Sequence, residues 1–338
     1  ADMNLPSGES LARQIVHGQR WFESRFGRRS TEVWIPDVFG YPAGMPQLYA
    51  AGGMHRFVTQ KLSWNTTNRF PHHTFWWEGL DGTRVLTHFP PVDTYNAELT
   101  PGECVRSVQR FQDSAWSDWS LMPFGHGDGG GGPTREMLER ARRMADVDGA
   151  PRVSIGTPSE FFEHVEREAF EGAPVPVWRG ELYFETHRGT LTSQLRTKVG
   201  NRRCERLLRE VELWSATLGR SAEVDHLWQQ VLTQQFHDII PGSSIAWVHD
   251  DAEQAHATVT DALKRRLVEL FDELVPETPH VANAAGVDRD EVIEFEDSPP
   301  MRVQVPANAI AALAAVPADD RVVTSESSMS NHHLAVRW

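Results

Sequence analysis

The stretch that most constrains the fold is Thr31-Glu-Val-Trp-Ile-Pro-Asp37-Val-Phe-Gly-Tyr41. Val33, Trp34 and Ile35 have the β-branched and aromatic character of a buried strand, Pro36 ends its ladder, and Gly40 supplies the freedom of a tight turn. A short helix is predicted over 43–51, closed by Gly52 and Gly53, and a second strand over 56–60. Strand, helix and strand in that order make a βαβ unit. In parallel α/β folds functional groups collect at the carboxyl ends of strands, which is where Asp37 falls. An Asp in that place more often caps the following turn, so the local pattern alone does not separate capping from catalysis.

The chain has 338 residues, enough for two or three domains with their own cores. Its net charge of −14 leaves no basic stripe to neutralise phosphates, which argues against nucleic acid as a partner. Cys104 and Cys204 are too few for a disulfide framework and suit a reducing, cytoplasmic compartment. No apolar run approaches the ~20 residues of a membrane span, so no membrane partner is expected.

Along the chain, Ser7 caps a helix whose Leu11, Ile15 and Phe22 line one face. Asp81-Gly82 predicts a hairpin between 73–78 and 84–89. Trp64, Trp76 and Trp77 crowd this region; an aromatic face can stack on a sugar ring, although Trp more often fills a core. A helix over 99–119 and a strand over 121–124 lead to the run Gly125-His-Gly-Asp128-Gly-Gly-Gly-Gly132. That run lacks the Lys-Ser/Thr of a phosphate loop and the placement of a dinucleotide fingerprint, so a nucleotide site is rejected. Its glycines allow close passage of backbone and free Asp128 to face a cleft, or they form a surface turn.

A polar helix to about residue 146, a strand over 152–155 and a capping box at Thr157–Glu160 follow. The Pro-rich connector 171–178 is the best domain boundary. Three amphipathic helices come next. The first is marked by Leu207, Val211, Trp214 and Leu218, and the second runs from Val224 to Phe236. The third starts after the Pro241-Gly242 break, with Ser244 as its cap. A second linker over 276–279 precedes strands at 291–295 and 301–305. The expected class is α/β: a partial irregular (β/α)7-type barrel over 1–170, a three-helix bundle over 171–275, and the start of a β-sandwich domain over 276–338.

Five segments carry a resemblance: Trp34-Ile-Pro-Asp37-Val-Phe-Gly-Tyr41, Thr59-Gln-Lys61-Leu-Ser-Trp64-Asn, the run 75–90, His187-Arg-Gly-Thr190 and Gln235-Phe-His237-Asp238-Ile-Ile-Pro-Gly-Ser-Ser244. In these words and their order, from about residue 4 to 292, the chain resembles the glycoside hydrolase family 38 α-mannosidases. It is most similar to the branch of bacterial mannosylglycerate hydrolases and the cytosolic and vacuolar enzymes of eukaryotes. The resemblance implies a retaining, Zn2+-dependent hydrolase of terminal α-linked mannose, acting on an oligosaccharide or small mannoside, with a homo-oligomeric parent in view.

It also implies roles. Asp37 becomes the nucleophile and a zinc ligand, Asp128 the acid/base, and His237 a zinc ligand. Phe39, Lys61, Arg188 and Asp238 become substrate-binding residues. Read without the resemblance, a His at a helix end is ordinary capping and Arg188 is equally a salt-bridge partner. In the family the remaining ligands come from a His-x-Asp pair on an opening strand, which is expected to precede residue 1. The chain is therefore expected to be a fragment and, alone, a weak enzyme. His126-Gly-Asp128 and His249-Asp-Asp251 share that spacing but do not sit on an opening strand. Two other classes stand beside this reading: a metal-dependent polysaccharide deacetylase, and an inactive carbohydrate-binding fragment.

Overall fold

The βαβ unit around Asp37 is present. β1 (Glu32–Trp34) pairs in parallel with β2 (Arg56–Val58), with α2 (Met45–Ala51) between them, and β2 pairs in parallel with β4 (Arg84–His88). β3 (Thr74–Glu78) folds back on β4 as the expected hairpin, with Gly82 at φ 84°. β5 (Val177–Arg179) adds to β3 in parallel and completes the order β1-β2-β4-β3-β5. This computed structural model describes residues 1–128, 130–275, 279–294, 299–314 and 322–338. Most of the linker expected at 276–279 therefore lies outside the described residues.

Alternate strand residues face opposite sides of the sheet. Phe57, Val85, Phe75 and Trp77 point into one core with Tyr41, Met45 and Tyr49, beneath α1 (Gly8–Phe26) and α2. Val58 and Leu86 point the other way, onto Phe161, Phe162 and Val165 of α5 (Pro158–Phe170). A sheet covered on both faces is what near-continuous apolar strands require.

Several expectations are corrected. β5 takes the last two residues of the predicted connector: Trp77 Nε1 donates to the Gly180 carbonyl and Trp178 packs on the core, contacts that outweigh the local proline signal. α3 (Pro101–Arg110) stops well short of residue 119, because the Asp113 carboxylate turns the chain to accept the His73 and Thr74 amides. Residues 121–124 make no strand; the Leu121 amide is taken by His88 Nε2, and a single bridge joins Ala97 to Phe124. Residues 152–155 form none either, with Ile155 left exposed and no apolar face to bury. Phe22 is exposed: Gln19 ends the buried face of α1 by bonding to Ser30 and Gly52, and Phe22 joins Trp21 and Phe26 at the surface.

The remaining helices are α4 (Arg135–Arg143), α6 (Leu195–Thr217), α7 (Asp225–Gln234) and α8 (Ala246–Leu274). α8 begins too late for Ser244 to be its cap. By contacts the chain divides into residues 1–205 with 225–260, and residues 206–224 with 261–338. In the first unit Gly200 lets α6 approach His256 of α8, since a Cβ there would lie 2.7 Å from the imidazole. The second unit contains the hairpin of β7 (Arg289–Ile293) and β8 (Met301–Val305), and the pair β6 (His280–Asn283) with β9 (Ala309–Ala312). It also holds the sheet of β10 (Val323–Ser325), β11 (Ser328–Ser330) and β12 (Ala335–Arg337). Among the described residues no helix is long and apolar enough to cross a membrane.

Candidate active site

The turn after β1 is pinned on several sides. The Ile35 amide bonds the Val58 carbonyl, Pro36 accepts from Gln60, and the buried Tyr41 hydroxyl donates to the Ile35 carbonyl at 2.7 Å. Gly40 sits at φ 99°, where a side chain would be strained, and a Cβ there would stand 3.1 Å from the Leu182 carbonyl and 3.2 Å from the Phe184 amide. Asp37 is therefore held off the strand end in one orientation. Lys61 occupies the same place after β2, opening a 3-10 helix, and Tyr95 comes from the segment that follows β4.

These three converge. The Lys61 ammonium forms an ion pair with Asp37 Oδ1, the Tyr95 hydroxyl lies 3.2 Å from the same oxygen, and His237 Nε2 lies 3.2 Å from Asp37 Oδ2. Burial by itself would raise the Asp37 pKa; hydrogen bonds from His237 and Lys61, and the Lys61 charge, outweigh it and hold the carboxyl at about 2. Asp37 stays ionised throughout the neutral range.

Asp128 reaches the same place from the glycine loop. The loop folds on itself: the His126 amide donates to the Gly132 carbonyl at 3.0 Å, and a Cβ on Gly131 would stand 2.7 Å from the His126 carbonyl. Asp128 adopts φ 51°, in the left-handed region. Its Oδ2 lies 3.3 Å from the Tyr95 hydroxyl, so one phenol spans Asp128 and Asp37. Burial, then the two carboxylates, raise the Tyr95 pKa and keep it protonated as a donor. The two bridged oxygens lie no farther apart than the sum of these bonds, which excludes the longer part of the ~5 to 9.5 Å over which paired glycosidase carboxyls are spaced.

His237 and Asp238 follow the end of α7, in the turns before Pro241. Asp238 Oδ2 lies 3.8 Å from His237 Nε2, while its Oδ1 accepts from Ser243 at 2.7 Å. Asp37, His237 and Asp238 each offer a ligand atom within 4.8 Å of the others, and among the described residues they are the group that can hold a metal. Two ligands of a tetrahedral zinc, each ~2.0–2.2 Å from the ion, stand roughly 3.4 Å apart, close to the separations here. Two carboxylates and an imidazole are also a suitable donor set. The residues fit a zinc ion with three protein ligands and an open position, and Asp238, expected at the sugar, stands beside His237 and Asp37 in this group.

Phe39 lines the site, with its ring 4.7 Å from His187, 6.4 Å from His237 and 5.7 Å from the Lys61 ammonium. Trp77 belongs to the core and Trp76 packs on the opposite side of the sheet. Trp64 stands at the site with Lys61 4.3 Å from its ring. Arg188 is not brought in: it is exposed and lies over the Tyr183 ring. Its neighbour His187 lies there, its ring tilted against Phe39 and Phe184, with its pKa lowered by burial and by Lys61. Sequence reasoning missed both His187 and Tyr95. Tyr95 had one signal, an aromatic hydroxyl in the segment after a strand.

Residues 1–181 match the glycosyl hydrolases family 38 N-terminal domain and residues 185–274 the alpha mannosidase middle domain. The chain is 46% identical over 259 residues to human alpha-mannosidase 2C1, covering 74% of this chain and 25% of that protein. It is 47% identical over 264 residues to alpha-mannosidase G of Dictyostelium discoideum, covering 76% and 24%. It thus spans about a quarter of the length of these curated relatives. Its fold is similar to the crystal structure of an alpha-mannosidase from Enterococcus faecalis V583, with a TM-score of 0.67 at 18% identity over 86% of this chain and 36% of that one. With this match over more than half its residues, the chain belongs to glycosyl hydrolase family 38.

Proposed function

We propose that this chain carries the catalytic centre of a zinc-dependent, retaining α-mannosidase that removes terminal α-linked mannose. The observation that carries the reading is the bridge of Tyr95 between Asp37 and Asp128, with His237 and Asp238 gathered on the other oxygen of Asp37. Asp37 Oδ1, facing Asp128, attacks the anomeric carbon and forms a glycosyl ester. Asp128 gives its proton to the leaving oxygen and then takes one from the water that cleaves the ester. Oδ2 of Asp37, His237 and Asp238 would hold a zinc ion, which supplies Lewis acidity and a template for sugar hydroxyls. His237 and Lys61 keep Asp37 ionised, and Lys61 and Tyr95 hold its Oδ1 in place. Phe39 and Trp64 offer apolar faces to the sugar ring.

We place the activity in carbohydrate metabolism, on mannose-containing oligosaccharides or small mannosides. A cytoplasmic setting suits the free, buried Cys104 and Cys204. The division into a barrel over 1–170, a bundle over 171–275 and a β-rich portion beyond is proposed with it. Hydrolysis of an aryl α-mannoside by the zinc-loaded chain, followed by proton NMR, tests the reading. Retention gives the α-anomer of mannose first. The β-anomer first would overturn the mechanism, and acetate release without mannoside turnover would favour a deacetylase.

A further inference from the structure

Residues 2–10 take no part in the chemistry above, yet they touch both halves of the site. The Asn4 side-chain amide donates to the carbonyls of Phe39, at 3.3 Å, and Gly40, at 3.1 Å, just past Asp37. The Asp2 backbone amide donates to the Gln235 carbonyl at 2.8 Å, two residues before His237. The buried Asp2 carboxylate accepts from the Asn4 and Leu5 amides, at 2.8 Å each, so both anchors belong to one closed turn.

The Gln235 end is fastened a second time. Its Nε2 donates toward Asn201 Oδ1 at 2.9 Å, Ser10 Oγ at 3.1 Å and Glu205 Oε1 at 3.2 Å. Glu205 in turn accepts from the Ser7 amide at 2.7 Å, the Ser10 hydroxyl at 2.6 Å and Arg202 at 2.8 Å. Gln235, Ser10, Asn201 and Glu205 are all buried, and the Gln235 Oε1 has no partner among the described residues. Apolar side chains of the same size would fill this space without stranding an acceptor or enclosing a charge. What a polar network adds is a single geometry where apolar packing tolerates several. Here it fixes two segments 200 residues apart in sequence whose carboxylate and imidazole meet at 3.2 Å.

We propose that Asn4 and Gln235 are positioning residues, through which the strap of residues 2–10 sets the separation of Asp37 from His237 and hence their joint hold on a divalent metal. The inference deepens the reading of the site as a zinc glycosidase and rests on it for its zinc and kinetic consequences. Asn4→Leu in the full chain removes the donor at an exposed position while keeping the size. Zinc affinity, measured by chelator competition, is expected to fall about tenfold, as when an outer-shell partner of a metal ligand is lost. The kcat on an aryl α-mannoside is expected to fall by a similar factor, with KM held within about twofold. The melting temperature of the metal-free protein should move by no more than ~2 °C. Gln235→Met should weaken zinc binding in the same direction. Unchanged zinc affinity and kcat in Asn4→Leu would overturn the proposal, as would a lowered melting temperature with zinc affinity intact. If the parent neither binds zinc nor cleaves mannosides, the reading of the site fails. Crystal structures then decide the strap, supporting it if the Asp37–His237 contact widens in Asn4→Leu and overturning it if the contact is unchanged.

Discussion

The turn after β1 and the glycine loop each deliver one carboxylate, and they hold it in opposite ways. Asp37 sits on a turn fastened to β2, to Leu182 and to Asn4, with a lysine, a histidine and a phenol around its oxygens. Asp128 rides an exposed loop at φ 51° and, among the described residues, its hydrogen bond to the site is the one from Tyr95. The difference follows from the work proposed for each. A nucleophile that also binds metal must stay ionised at one position, which donors and a rigid frame provide. An acid/base must exchange its proton with water in every cycle, which exposure provides.

Removing the fixed carboxylate should have the largest effect. Asp37→Asn is expected to lower kcat on the order of 10⁴-fold and to strip zinc on dialysis, read by mannoside turnover and elemental analysis. Retention of stoichiometric zinc would take Asp37 out of the ligand set and break the contrast. Asp128→Ala comes next, with zinc content unchanged and losses of ~10² to 10⁴ on poor leaving groups. Activated aryl mannosides should suffer far less, and azide should rescue them. Equal losses on both substrates without rescue would move the acid/base role elsewhere.

Tyr95→Phe cuts the link between the two carboxylates. Loss of one hydrogen bond to a charged group predicts a drop in kcat of roughly tenfold or somewhat more. In the double variant with Asp128→Ala that cost should shrink, because the phenol then has one carboxylate left to serve; strict additivity would show that Tyr95 acts on Asp37 alone.

The smallest effect concerns the scaffold on which both regions stand. His73 is buried, and that burial holds its pKa down at about 4, below the usual histidine range. The unfolded chain therefore binds this proton more readily, so stability is complete above about pH 6.5 and falls as pH drops toward 4. Denaturant unfolding at pH 7.5 and pH 5 should show the decline, at up to ~1.4 kcal/mol per pH unit for each such histidine. His73→Gln should flatten it; an unchanged slope would show that His73 is already charged in the fold.

Asp37 was legible because Pro36 and Gly40 punctuate an apolar strand, and the hairpin because Asp81-Gly82 sits between two alternating runs. β5 was not, since Val177–Arg179 looks like linker until Trp77 and Trp178 give it something to pair with and pack on. In the site, the motif around His187 is visible in the sequence, but that His187 meets Phe39 while Arg188 lies over Tyr183 is not. Two neighbouring side chains leave the backbone in different directions where the 3-10 turn begins at Arg188, and the sequence does not say which one meets Phe39.

By itself, then, the sequence determined the strand-end acid, the glycine loop with its second acid, the helix-end pair His237 and Asp238, and the family. These are local patterns, governed by backbone freedom and side-chain type. The tertiary structure alone decided that Tyr95 joins Asp37 to Asp128, that Asp238 stands beside His237 and Asp37, and that Asn4 and Gln235 bond the segments carrying Asp37 and His237. Each of those contacts closes a long loop in the chain, and local preference carries no information about such pairings.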